Sequence, residues 1–553
     1  MLRPGPALRF AAFCWLAVAA MAAPAGELLI FGGPIYTGVK ESPRAEAVLV
    51  RDQRIAFVGS LAAARQQARG AHDIDLKGAG AYPGFVDAHA HLTEIGLREL
   101  TLNLEGTSSI EAVVTAVRAW AAAHPGSDPI LGGGWIETHW PEKRFLTRSD
   151  IDRAVKARPV ILRRADGHAT VCNSAALALG HIDRSTQDPS GGKILRDASG
   201  EPTGMLVDNA LALMYSKLPG PSKALRREAL ERAVSLYASR GWTGMHNMSV
   251  AGEDVTILRS LAAEGKLPIR VDNFMVPEDS DTVLTKGPSQ DASGLVRVRG
   301  VKLYMDGALG SRGAALLEPY NDAQGSGLLL TPHDVMRTIL LRALKAHAQV
   351  ATHSIGDRGN RLTLDAYEEA FRQDPANAHD VRWRVEHAQI LAPTDIPRFA
   401  KLGITASMQP SHAISDLFFA PARLGAARLK GAYAWHSLLD SGALVVAGTD
   451  APVERGDPLV EFYAATFRHD LKGYAGPDWH LEEAVSRPAA LRMLTWGPAC
   501  AIFREKELGT LEPGKLADIT AFSVDLMMAP FAAIPPARAV LTVVNGKVVY
   551  AAR

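Results

Sequence analysis

Short apolar runs closed by polar residues recur along most of this chain, and eight of them have the length and residue types of buried strands. In order they are Pro83 to His91, Trp242 to His246, Ile269 to Phe274, Val298 to Met305, Val350 to His353, Arg382 to His387, Ile404 to Met408 and Leu444 to Asp450. Between most of them the apolar positions return at the helical period instead, as in Asp334 to His347 and Leu362 to Arg372. Strand and helix alternating eight times predicts an α/β fold of the (β/α)8, or TIM-barrel, type. Its reactive groups would gather at the C-terminal ends of the strands.

The ends of these runs carry the chemistry. His89 and His91 stand one residue apart, so in an extended strand both project to one face and can offer two imidazoles to one cation. His353, His387 and Asp450 close other runs, which brings five metal-capable side chains to one barrel mouth from distant parts of the chain. A barrel that buried them for packing alone would carry the cost of enclosing His and Asp without partners. Lys302 starts inside the fourth run and shares a face with Tyr304 and Asp306. It reads either as a member of the site or as a structural lysine paired with Asp306.

The segments Pro83 to His91, Lys302 to Arg312, His353 to Arg358, Arg384 to Gln389 and Gly448-Thr449-Asp450 resemble the amidohydrolase superfamily of metal-dependent hydrolases. The resemblance covers nearly everything after residue 26 and points to the amidohydrolase family 3 branch, which includes N-substituted formamide deformylase. It implies one or two divalent metals, usually Zn2+, held by His89, His91, His353, His387 and Asp450. In many members the lysine matching Lys302 carries CO2 as a carbamate (N6-carboxylysine) that bridges two metals, which requires an unprotonated amine and hence a lowered pKa. With a structural Lys302 the site would hold one metal. Zinc brings the pKa of its bound water to about 7 and polarises a carbonyl. Asp450 would then be the base that takes the water's proton and passes it to the departing nitrogen.

The expected activity is hydrolysis of a non-peptide, amide-like C–N bond in a small molecule, such as an N-formyl or N-acyl amine, an acylated amino acid or a cyclic amide. Hydrolysis of ester, carbamate or C=N bonds on the same site is the enzymatic alternative. A non-catalytic exported barrel protein is the other, although a binder would not need the full ligand set with Asp450.

The stretch from about 105 to 235, between the first and second strands, is too long for one connection and predicts an insert or lid. Within it His168 is a candidate for binding the substrate's polar group, with Trp135 and Trp140 as apolar walls. Equally, His168 would bond its own loop and the tryptophans fill a local core. Asp306 and Arg312 are further candidates to face the substrate, Arg312 as an anchor for an anion, while Asp357 and Arg358 read as partners of each other or of neighbouring loops. Where relatives often carry His-Asp, this chain has His246-Asn247, so His246 receives no metal role.

Residues 23 to 80 and 501 to 553 have the texture of short strands and turns, including an Asn-Gly hairpin at Val543 to Val549. Both ends are expected to meet in a small β-sandwich beside a barrel of residues 81 to 500. Arg3 and Arg9 precede an apolar run from Phe10 to Ala22 that ends in small residues, predicting a signal peptide over residues 1–22 and a periplasmic or secreted enzyme. No stable membrane span is expected after its cleavage. Cys14 lacks the setting of a lipoprotein site, and Cys172 and Cys500 show no zinc-ligand spacing. A net charge of +1 over 553 residues offers no footprint for nucleic acid, and 47% hydrophobic content supplies a large core. No GxGxxG, Walker or G-x-S-x-G pattern occurs, which excludes nucleotide binding and serine hydrolysis on motif grounds. The expected partner is a small-molecule substrate; self-association as a homodimer is compatible with the sequence.

Overall fold

The computed structural model describes residues 26–552; the expected signal segment and Cys14 lie outside them. Eight parallel strands follow one another in chain order around a barrel: β1 (Phe85–Ala90), β2 (Trp242–Val250), β3 (Arg270–Met275), β4 (Val296–Tyr304), β5 (Gln349–Ser354), β6 (Arg384–His387), β7 (Thr405–Met408) and β8 (Val445–Ala447). Each expected run holds one of them. Their register aligns the site, because Tyr304 pairs with His353 and Ser354 pairs with His387.

The ring closes just beyond β8. The Asp450 amide donates to the His89 carbonyl at 2.7 Å, and the His91 amide donates to Ala451 at 2.9 Å. A Cβ at Gly448 would lie 2.3 Å from the His89 nitrogen, so only glycine lets the two chains approach this closely. Asp87 fastens the seam from within. Its fully buried carboxylate accepts from the amides of His89 (3.1 Å) and Thr449 (2.9 Å) and from the hydroxyls of Thr449 (2.6 Å) and Tyr237 (3.0 Å).

Tyr237 belongs to the helix Lys223–Arg240, which starts with Ser222 capping Leu225 and ends at Gly241 in a left-handed conformation. Its face of Leu230, Ala233, Val234 and Tyr237 packs into the barrel core beside Ile95. This helix therefore packs with the barrel core. The insert itself is a six-stranded sheet running from Leu102–Asn103 to Pro202–Asp208, with its own apolar core.

That core corrects the reading of Trp135 and Trp140 as substrate walls. Both are almost wholly buried, their indole N–H groups donate to the carbonyls of Leu162 and Thr107, and their ring centroids are 5.9 Å apart. Tryptophan is large enough to hold a small domain's core when its N–H finds an acceptor, as here.

The chain ends share one continuous eight-stranded sheet. Gly80–Pro83 pairs with the N-terminal strand Leu28–Tyr36 on one side and with Ile519–Phe522 on the other. The last hairpin turns at Asn545 and Gly546, both with positive φ, as an Asn-Gly turn requires. Cys172 and Cys500 are both free thiols. Among the described residues no helix is long and apolar enough to cross a membrane.

Replacing Asp87 by Ala would leave four buried donors without their acceptor. We expect a loss of at least about 3 kcal/mol of stability, read as a lowered thermal unfolding midpoint; an unchanged midpoint would show that the seam does not depend on this carboxylate.

Candidate metal centre

Three imidazoles at the barrel mouth are set in one tautomer by what their Nδ1 atoms meet. His89 Nδ1 lies 2.6 Å from Glu386 Oε2, His91 Nδ1 3.2 Å from the Met248 carbonyl, and His387 Nδ1 2.9 Å from Gln409 Oε1. Each neighbour is an acceptor, so each Nδ1 carries the proton and each Nε2 is left with a lone pair. Those lone pairs face another acceptor. His91 Nε2 lies 3.1 Å and His89 Nε2 3.3 Å from Asp450 Oδ1. From the other side His412 Nε2, buried and without a hydrogen-bond partner, stands 3.7 Å from Asp450 Oδ2. Acceptors converging without a proton between them are what a cation requires.

The donor set fits a divalent metal of the borderline kind that takes imidazole and carboxylate. The candidate ligand atoms of His89, His91 and Asp450 lie within 4.8 Å of one another, as do those of His387, His412 and Asp450. His353 joins from β5. Its Nε2 is 3.4 Å from the Gly307 carbonyl, leaving Nδ1 for a ligand role, and its ring centroid is 4.5 Å from that of His387. Burial lowers the pKa of His353 and His387 well below the ordinary range; burial and the nearby Lys302 lower that of His89. All three are thus neutral, the form that ligates metal. Burial opposes the charge on Asp450, but the adjoining His89 and His91 rings hold the carboxyl well below its usual value.

Beneath these ligands runs a buried charged chain. Arg384 donates from Nε to Glu386 Oε1 at 2.7 Å and from Nη2 to Glu386 Oε2 at 3.1 Å, while Glu386 orients His89. Nη1 donates to His246 Nδ1 (2.7 Å), and the two Nη2 protons are shared between Glu386 and two further acceptors, the Ala88 carbonyl (2.6 Å) and Ser407 Oγ (2.6 Å). Burial raises a carboxyl's pKa, yet Arg384 and His89 keep Glu386 ionised far below the usual range. His246 is consumed here as an acceptor and stands apart from both ligand groups.

Lys302 is enclosed on β4 with Nζ 3.3 Å from His89 Nε2, and burial brings its pKa down to about 8. Among the described residues it forms no ion pair, which removes the structural pairing with Asp306. Asp306 is also not a substrate-facing group. Its buried carboxylate accepts from the amides of Ala315 (2.8 Å), Ile355 (2.9 Å) and Gly356 (2.8 Å), fastening the loops after β4 and β5. Arg312 is likewise occupied by an ion pair with Asp322 at 2.9 Å, so it is not a free anion anchor. Asp357 accepts from the amides of Leu317 and Arg358, a loop and helix-start contact.

His168 does reach the mouth. Its ring centroid lies 5.0 Å from that of His353, and its Nδ1 is 2.7 Å from Asp208 at the end of the insert sheet. Burial disfavours its charged form, but the bond and charge of Asp208 raise its pKa overall.

Sequence reasoning missed His412 because the seventh run was ended at Met408; Gln409-Pro410-Ser411-His412 follows directly and holds both His412 and the Gln409 that orients His387. It also passed over Arg384 and Glu386. At a period of two in a central barrel strand, such charges face the interior, and that signal was available.

The profile of a family described as the amidohydrolase family matches residues 73–550. YtcJ of Bacillus subtilis (strain 168) is 36% identical over 94% of this chain and 98% of its own length. N-substituted formamide deformylase of Arthrobacter pascens is 30% identical over 90% of this chain and 94% of its own. In structure, an uncharacterized metal-dependent hydrolase from Pyrococcus horikoshii OT3 superposes with a TM-score of 0.74 at 26% identity, over 91% of this chain and 99% of that one.

Substituting Gln for Glu386 removes the charge that answers Arg384 and weakens the acceptor for His89 Nδ1–H. We expect metal affinity to fall by about 10- to 100-fold, measured by competition with a chromogenic chelator; unaltered affinity would exclude the buried chain as a support of the centre.

Proposed function

This chain belongs to the amidohydrolase family and is a metal-dependent hydrolase, and from that premise we propose that it hydrolyses a non-peptide amide bond of a small molecule, with an N-formyl or short N-acyl amine as the substrate class. The observation that carries this reading is the convergence of protonless Nε2 atoms from His89 and His91 on the carboxylate of Asp450. The similarity to a protein named N-substituted formamide deformylase supports the choice of acyl group.

In this reading His89, His91, His353, His387 and Asp450 would hold the metal, and His412 would offer a further nitrogen. Lys302, enclosed beside His89, would be the residue to take up CO2 as a carbamate and so supply a further carboxylate ligand. When bound, a divalent metal supplies Lewis acidity, polarising a carbonyl and making water acidic enough to deprotonate near neutral pH. Asp450 takes the proton of the attacking water and returns it to the nitrogen as the C–N bond breaks, so that one carboxylate serves as base and then as acid. His168, oriented by Asp208, holds the substrate's polar group at the mouth. Export through the segment at 1–22 places the reaction outside the cytoplasm.

Elemental analysis of the mature protein, with intact and peptide mass spectrometry on Lys302, tests the centre: near two metals per chain with added CO2 supports the bridge, and one metal with plain lysine removes it. For the reaction, Asp450→Asn should lower turnover per bound zinc on a panel of N-substituted formamides by about 10³-fold. Undiminished turnover would take Asp450 out of proton transfer, and a wild-type preference for esters over amides would overturn the bond assignment.

A further inference from the structure

Two hydroxyls at the mouth have no place in the scheme above. Ser249 near the end of β2 and Tyr304 at the end of β4 set Oγ and OH 2.6 Å apart, spanning β3 between their strands. They sit among the candidate ligands. Ser249 follows Met248, whose carbonyl takes the His91 proton, and the Tyr304 ring lies 5.3 Å from the His353 ring and 5.1 Å from Lys302 Nζ. His89, Lys302 and His353 are almost completely enclosed, whereas Ser249 and Tyr304 are only half-buried. Ser249 also holds φ at +58°, a left-handed conformation that a non-glycine residue seldom adopts and that recurs where structure is kept for function.

Proton counting leaves the pair one free donor. Two hydroxyls own two protons, and their mutual bond uses one. Either hydroxyl can be the donor; with Tyr304 donating to Ser249 Oγ, the serine is polarised and its O–H is left to donate outward. We propose that Ser249 donates this hydrogen bond to the oxygen of the scissile acyl group as negative charge builds on it, with Tyr304 as the positioning residue behind it. This rests on the acyl-hydrolase reading of the same mouth. It assigns a second source of oxyanion stabilisation, contributed by the protein itself from strands β2 and β4.

The test uses methylphosphonate, a tetrahedral anion shaped like an acyl addition product, titrated calorimetrically into the zinc-loaded full chain. Ser249→Ala should weaken binding by about 100-fold, the scale of losing one oxyanion donor, with zinc stoichiometry and unfolding midpoint as in the wild type. Tyr304→Phe, which keeps the serine proton but frees its rotor, should weaken it by about 10-fold and carries the test alone if the serine variant misfolds. Equal binding by wild type and variants would overturn the proposal, as would loss of zinc or a lowered midpoint with affinity intact, since the pair would then be a staple between strands. No binding by the wild-type zinc protein would overturn the acyl-hydrolase reading itself.

Discussion

The ion pair between Arg384 and Glu386, wholly enclosed in the barrel, is the constraint from which the rest of the centre follows. A buried charge is tolerated only when its partners are close and its remaining hydrogen-bonding capacity is met. The Arg384 guanidinium meets this condition by reaching Glu386, His246, Ala88 and Ser407. Glu386 in turn spends its second oxygen on His89 Nδ1. The ionised state of Glu386, the tautomer of His89 and the direction of the His89 lone pair are therefore one linked fact. A ligand set by such a chain is oriented before any metal arrives, which is how enclosed carboxylate–histidine pairs sharpen a metal site.

Around this core the strand ends are bent away from ordinary strand geometry. His387, Asp450 and Ser249 all have positive φ, and each lies where a strand hands its residue to the mouth. Such turns cost free energy, and here they coincide with dense bonding that holds them: the His89 carbonyl takes the Asp450 amide, and Gln409 takes the His387 proton. The barrel seam at Asp87 and Thr449 lies one step from Asp450, so the element that closes the fold also sets the residue on which the imidazoles converge. Stability and reactivity share these bonds.

The barrel was legible because its signal is local. Eight apolar runs and the period of two at His89 and His91 need no knowledge of distant contacts, and each strand formed where its run lay. The gathering of the candidate ligands was legible through barrel topology, which places strand ends together whatever their separation in sequence. Side-chain partners were not. Trp135 in a pocket wall and Trp135 in a core obey the same local pattern; only the Leu162 carbonyl waiting for its N–H decides. Asp306 and Arg312 read as substrate-facing because they lie at or after a strand end, yet three backbone amides and Asp322 engage them. His412 was lost to a boundary set at the last apolar residue, since ligands on the loop after a strand leave no apolar trace.

The glycines after β4 show how the insert takes part without lending a ligand. Close approach by the insert is the reason for their lack of side chains. A Cβ at Gly307 would lie 2.6 Å from an Asp208 carboxylate oxygen, and one at Gly313 would lie 2.3 Å from the other. At Gly310 it would stand 3.0 Å from Arg164, whose guanidinium is otherwise clasped by Glu137 at 2.8 and 3.0 Å. Bare backbone here is a seat into which two insert side chains fit, and the same loop is fastened from below by Asp306. Asp208, once seated, aims His168 over His353. The barrel interior thus fixes where a cation can sit, while the fit of the insert on this loop fixes what stands above it. The position of His168 over His353 is therefore set at a junction between two apolar cores, that of the barrel and that of the six-stranded sheet.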